Sequence, residues 1–304
     1  MSIRFIFFGT PDFAVPSLSL LSSTNQCLAV VTATDKPAGR GHNMQISPIK
    51  KYALEHNLKI YQPKNLKSQK FIESLKILNA DIFIVVAFRM LPKEIWSLPP
   101  LGTINLHASL LPDYRGAAPI QHAILNGETK TGVTSFFIRE SIDTGDIILQ
   151  QEISIHESDD AGSLHDKMME EGARLLVKTV DHIQHPEFKA IPQSNSSSLI
   201  APKIFPENTI INWDNKCKNV YNFIRAFCPY PGAKTTYNGE VFKIYKTSIE
   251  SSDNKLNPGS WIFDFTENTL KISCIDGYLK ILEIQPPSKR KMNTKDYING
   301  LKNK

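Results

Sequence analysis

The strongest constraint on this chain is the alternation of short apolar runs with helix-spaced segments in its first 190 residues. IRFIFFG at 3–9 and CLAVVTAT at 27–34 are nearly continuous β-branched and aromatic runs. Between them Val15 to Leu21 has helical spacing, with Pro11 suited to a first turn after a Thr10 cap. The pattern continues with helices near Pro48–His56 and Lys70–Leu78 and strands DIFIVVAF at 81–88 and TINLH at 103–107. Further strands at Val133–Ile138 and Asp146–Ile155 precede a helix at Ser163–Ile183. Buried strands alternating with helices predict an α/β domain, a mostly parallel sheet covered on both faces.

At 304 residues the chain is about twice the roughly 150 of one domain, so two are expected. Ala190 to Pro206 is rich in proline, serine and asparagine, the composition of a connector. The reading is a catalytic domain at 1–188, a linker at 189–206 and a second domain at 207–304. In the last, Cys217–Phe227 has one apolar helical face. Everything after it reads as short strands, at 241–248, 260–265, 269–275 and 278–284. These predict a small antiparallel β-barrel of the oligonucleotide-binding type, with Arg225, Phe227 and Tyr230 holding the helix against it.

Charge separates the two parts. Up to Phe205 there are 20 Lys and Arg against 20 Asp and Glu, and beyond it 15 against 10, so the net charge of +5 lies in the last third. A basic small domain suits a polyanion such as nucleic acid. Lys289-Arg290-Lys291, with Lys243, Lys246, Lys271 and Lys280, can track a phosphate backbone. The four cysteines form no CxxC pair or Cys/His spacing, so neither a disulfide framework nor a metal is predicted. No run approaches the ~20 apolar residues of a membrane span, and a cytoplasmic monomer is expected.

In a parallel sheet, ligands lie beyond the carboxyl ends of the strands. Neither GxGxxG follows the first strand nor GxxxxGK[ST] occurs, which disfavours a dinucleotide or a nucleoside triphosphate. Asn105 and His107 alternate on one short strand and share a face. With Asp143 they supply an amide donor, an imidazole and a carboxylate, a set suited to stabilising an oxyanion and removing a proton in acyl transfer. On residue type alone the bland reading leads: Asn105 and His107 satisfy buried backbone groups and Asp143 caps the turn formed with Gly145. No Ser or Cys nucleophile accompanies them, which favours direct transfer between two bound substrates. The loop from Asp35 to Pro48 is long against the usual ~2–6 residues and carries Lys36, Arg40 and His42 on a glycine-containing frame.

Asn105-x-His107-x-Ser109-Leu110-Leu111-Pro112, then Arg115-Gly116-Ala117-Ala118-Pro119-Ile120 and Asp143-Thr144-Gly145, resembles the folate-dependent formyltransferases, closest to those acting on methionyl-tRNA. The likeness runs from Gly9-Thr10-Pro11-Asp12-Phe13 through Pro37-Ala38-Gly39-Arg40-Gly41 to Arg225-Ala226-Phe227-Cys228-Pro229-Tyr230-Pro231. It implies a Rossmann-like formyltransferase domain joined to an OB-like domain, and Asn105, His107 and Asp143 as the catalytic trio. It further implies 10-formyltetrahydrofolate as donor, bordered by Phe88, Arg89, Met90, Leu91 and Ser109, Leu110, Leu111, Pro112. The acceptor it implies is initiator methionyl-tRNA, its end reached by Lys36, Arg40, Gly41 and His42, with Lys289, Arg290 and Lys291 on the phosphates. Three places depart from the family's usual residues: His42-Asn43-Met44 after GRG, Arg139 to Ile142 before Asp143, and Arg89 after Phe88. Two other readings keep parts of the pattern: a formyltransferase for a small amine, and an RNA-binding protein without activity.

Overall fold

The computed structural model describes residues 2–38, 43–194, 199–252 and 256–302. The chain divides into two compact units, each assembled from separated stretches: 1–116, 130–154 and 165–200 in the first, and 117–129, 155–164 and 201–304 in the second.

The first unit is built on seven strands: β1 (Arg4–Gly9), β2 (Gln26–Val31), β3 (Ile60–Tyr61), β4 (Ile82–Val86), β5 (Thr103–His107), β6 (Lys130–Phe137) and β7 (Ile147–Ser154). Their order is β7-β6-β5-β4-β1-β2-β3. The five strands from β5 to β3 run parallel, and β6 and β7 add an antiparallel edge. The central strands β1 and β4 are apolar on both faces because helices cover both, as a parallel sheet requires. Helices α1 (Val15–Thr24), α2 (Pro48–Glu55) and α3 (Gln69–Leu78) fall where helical spacing predicts them. A short α4 (Lys93–Trp96) joins them. The first turn differs from expectation: Pro11 precedes a 3-10 turn over Asp12–Ala14, and no side chain caps it.

Helix α6 (Ala161–His182) is amphipathic and buries Leu164, Met168, Leu175 and Leu176. It approaches β5 so closely at Gly172 that a Cβ there would lie 2.6 Å from a Leu106 methyl. Leu106 therefore faces α6, and the alternation of the strand turns Asn105 and His107 to its other face.

The second unit carries β8 (Ala233–Tyr237), β9 (Glu240–Ser251), β10 (Trp261–Asp264), β11 (Thr269–Cys274), β12 (Gly277–Gln285) and the short β13 (Met292–Asn293). They form one antiparallel sheet in the order β8-β9-β12-β11-β10, with β13 paired to β12. Helix α7 (Cys217–Ala226) packs Val220 and Ile224 into its core beside Phe227, Ile244, Leu279 and Ile281. Arg225 is buried and donates to the carbonyls of His156 and Asp159, which ties the 155–164 stretch to α7. Tyr230 does not help hold the helix, being 82% exposed. The all-strand expectation beyond α7 also fails, because Thr294–Lys302 is helix α8, with Tyr297 and Ile298 in the core. Helix α5 (Pro119–Leu125) lies in this unit as well. Among the described residues no helix is long and apolar enough to cross a membrane.

Candidate active site

Strand β5 ends at His107, and its ring is almost wholly buried. Nε2 lies 2.9 Å from the Tyr114 carbonyl, so Nε2 carries a proton and donates it. Nδ1 faces Oδ2 of Asp143 at 3.7 Å, too far for a hydrogen bond. A neutral ring would turn its Nδ1 lone pair toward that carboxylate, whereas a doubly protonated ring turns an N–H toward it. Asn105, two residues back on the same face, is half-buried, and its amide bonds no described residue.

Asp143 reaches this place on a strained turn. Its φ is 53°, and its Oδ2 accepts from the amide of Gly116 at 3.0 Å. A Cβ on Gly145 would sit 1.6 Å from the Phe137 carbonyl oxygen, so only glycine lets the turn close against β6. Ala87 and Tyr114 also adopt left-handed φ, of 47° and 58°. These non-glycine residues lie after β4, after β5 and before β7, and each such residue costs on the order of 1–3 kcal/mol that its surroundings must offset.

The Ser109–Pro112 loop hangs from Thr134, a buried residue on β6 in register with His107. The Thr134 hydroxyl donates to the Ser109 carbonyl at 2.6 Å and accepts from Leu111 N at 3.1 Å and Gln150 Nε2 at 2.9 Å. Gln150 Nε2 also reaches the Leu111 carbonyl at 2.8 Å, and Ser109 Oγ donates to that of Asp113 at 2.6 Å. Bonds joined through one buried hydroxyl resist rearrangement together, so these backbone groups are fixed before a ligand arrives.

The segment after β4 divides. Leu91 is buried in the core with Phe8 and Ile95, while Phe88 is half-buried and edge-on to Phe8 at 5.8 Å. Met90 is exposed. Arg89 donates to the carbonyls of Pro63 and Lys64 and lies 5.7 Å from the Phe88 ring, bracing the loop after β3.

In the long loop, Lys36 is exposed on a two-strand ladder pairing Lys36–Ala38 with Asn43–Gln45. Gly39, Arg40, Gly41 and His42 lie outside the described residues. The base of the loop is pinned by a Thr32–Ser47 hydroxyl pair at 2.7 Å and by the Asp35–Lys50 ion pair, whose hydrogen bond holds the Asp35 carboxyl below its ordinary range. In the second unit Lys289 and Arg290 are exposed, whereas the Lys291 ammonium bonds Glu283 at 2.7 Å, which raises its pKa.

Sequence reasoning brought Asn105, His107 and Asp143 together, and the structure places His107 against Asp143 with Asn105 on the same strand face. It missed the holders: the Tyr114 carbonyl, the Gly116 amide, Thr134, Gln150 and Gln193. Arg115-Gly116 stood within the resemblance motif, but a backbone N–H has no residue signature.

A buried imidazole and a partly buried carboxylate thus meet at the carboxyl end of a parallel sheet, beside an amide that bonds no described residue. The chain belongs to the formyl transferase family: residues 1–180 match the formyl transferase domain and 203–302 the formyl transferase C-terminal domain. It is 45% identical to methionyl-tRNA formyltransferase of Bacteroides fragilis over 98% of this chain and 95% of that protein. It is also 45% identical to that of Flavobacterium psychrophilum, over 99% of this chain and 96% of that protein. Among solved structures, the fold is shared with an N-formyltransferase from Helicobacter canadensis in complex with folinic acid and dTDP-3-aminofucose. That structure aligns at a TM-score of 0.68 and 23% identity, covering 95% of this chain and all of that one.

Proposed function

We propose that this chain transfers the formyl group of 10-formyltetrahydrofolate to the α-amino group of initiator methionyl-tRNA. The observation that carries the reading is His107 fixed between the Tyr114 carbonyl and the Asp143 carboxylate, with the Asn105 amide unspent beside it. The acceptor follows from near full-length likeness to methionyl-tRNA formyltransferases.

The neutral amine attacks the formyl carbon, a C–N bond forms and the carbonyl oxygen becomes an oxyanion. The Asn105 amide and His107 Nδ1–H donate to it. Nε2 is committed to Tyr114, so Nδ1 is the nitrogen available. The attacking amine gives up a proton to Asp143, directly or through water. The carbonyl then re-forms, the C–N10 bond breaks with its electron pair going to the folate nitrogen, and that nitrogen takes up the proton held by Asp143. A preorganised donor at a developing oxyanion is worth about 10²–10³ in rate.

Phe88, Arg89, Met90 and the Ser109–Pro112 loop border the folate, and Leu91 supports that border from the core. Lys36, Arg40, Gly41 and His42 meet the acceptor end of the tRNA, and Lys289, Arg290 and Lys291 its phosphates. Residues 1–188 carry the chemistry and 207–304 the tRNA, joined through 189–206, in a cytoplasmic monomer. The test is formyl transfer to initiator methionyl-tRNA, with elongator methionyl-tRNA and free methionine as parallel acceptors and His107→Ala as control. Preference for the initiator, lost in the control, is expected. Donor consumption without formylated tRNA overturns the acceptor, and no consumption by folded protein overturns the reaction.

A further inference from the structure

The turn that presents Asp143 has a left-handed φ at Asp143 and two side-chain bonds of its own, Arg139 Nη2 to Asp146 Oδ2 at 3.1 Å and Thr144 Oγ1 to the Ser141 carbonyl at 3.0 Å, neither of which touches Asp143. Its anchor comes from 50 residues away. Gln193 Nε2 donates to the carbonyls of Asp143 at 3.0 Å and Gly145 at 2.6 Å. Its Oε1 accepts Arg115 Nε at 3.1 Å and Nη2 at 2.6 Å. Both amide hydrogens and the amide oxygen are therefore used. The assignment is also one-way, since a flipped amide would set its oxygen against two carbonyls and its NH2 against a guanidinium. Arg115 precedes Gly116, whose N–H holds the Asp143 carboxylate, so one dipeptide and one glutamine grip the turn from both sides.

The same stretch of chain reaches the imidazole. The Leu199 carbonyl accepts the Tyr114 N–H at 2.9 Å, and the Tyr114 carbonyl accepts His107 Nε2–H at 2.9 Å. Ile191 is also bridged to Ile147 at the start of β7. The segment that composition marks as a connector is thus bonded, on either side of residues 195–198, to the supports of both His107 and Asp143.

We propose that Gln193, backed by Arg115, is a positioning residue for the reaction: it holds the Asp143–Gly145 turn so that the carboxylate stays opposite His107 Nδ1. This rests on the reading of His107 and Asp143 as the catalytic pair. The connector is then part of the catalytic support as well as a tether.

Gln193→Met keeps length and loses all four bonds, while Gln193→Glu keeps the Arg115 pairing and loses both donations to the turn. Each is expected to lower kcat for formyl transfer by about 10- to 100-fold, the scale of an ångström-sized misplacement. KM for 10-formyltetrahydrofolate and for methionyl-tRNA should stay within about twofold. In an Asp143→Asn background Gln193→Met should cost almost nothing further, because a residue acting through Asp143 is non-additive with it. A general structural role would leave the loss intact in that background. If Gln193→Met does not fold, Arg115→Met against Arg115→Lys gives the same readout, with lysine recovering part of the kcat. Wild-type kcat for a folded Gln193→Met, or an additive loss with Asp143→Asn, overturns the proposal. Near-normal activity of Asp143→Asn overturns the catalytic reading itself.

Discussion

The tip of β5 and the C-terminal sheet use polar groups in opposite ways. At the tip, the side chains proposed for chemistry are largely out of solvent and held by fixed partners: His107 by the Tyr114 carbonyl, Asp143 by the Gly116 amide, and the Ser109–Pro112 loop beside them by the Thr134 hydroxyl. Across the C-terminal domain the cations other than the buried Arg225 are exposed or half-exposed, and several already have partners: Lys291 with Glu283, Lys271 with Glu250 at 2.5 Å, and Lys243 with the Pro231 carbonyl at 2.9 Å. Chemistry needs a few groups fixed to within a fraction of an ångström, whereas attraction to a polyanion is a sum over charges, no one of which is decisive. Change at the tip should therefore be abrupt and specific, and change in the basic domain graded and dependent on salt.

The most severe expected effect is at Gly145. Alanine there cannot coexist with the Phe137 carbonyl oxygen, so the turn must move and carry Asp143 with it. A fall in kcat of about 10²-fold or more is expected, with the affinity for methionyl-tRNA nearly unchanged. Equal losses of turnover and affinity would erase the contrast between the two regions.

In the basic domain, Lys289→Ala and Arg290→Ala should each weaken tRNA binding modestly and reduce the slope of log K against log salt by about one. Lys291→Ala should change that slope less, because its ammonium is already paired with Glu283. Binding isotherms at several salt concentrations read all three, and a flat response in the wild type would contradict a phosphate-tracking surface.

The smallest effect expected is at the margin of the first unit, where charge does neither job. The Arg4 guanidinium, bonded to Asp81 at 2.8 Å, holds that carboxyl below its usual range. Its contribution to stability is complete above the unfolded value of about 3.9 and is lost as the pH falls through the lower folded value. Urea midpoints below about pH 4 should fall more steeply for the wild type than for Asp81→Asn, with kcat at neutral pH alike in both.

How much of this was legible follows the same division. Strand TINLH at 103–107 was readable to the residue because five alternating, closely bounded positions leave no other register, and the shared face of Asn105 and His107 followed from it. The supports were not readable. The partners of Asp143 are a backbone N–H 27 residues away and a glutamine 50 residues away, inside a segment whose composition suggests a plain connector. Helix α8 was missed because TKDYINGLK carries Asn299 and Gly300 and only three apolar anchors, so its helicity comes from packing against β12 rather than from propensity. The 117–129 and 155–164 stretches joined the second unit through α5, Gly127 beside Asn222, and the buried Arg225, none of which a linear reading reveals.

If donors at the end of β5 accelerate formyl transfer, the single-turnover rate of Asn105→Ala at saturating 10-formyltetrahydrofolate and initiator methionyl-tRNA will show it. The Asn105 amide supports no described residue, so its removal should leave folding and tRNA affinity intact while the rate falls about 10²–10³-fold. A folded Asn105→Ala protein that transfers the formyl group at close to the wild-type rate would contradict it.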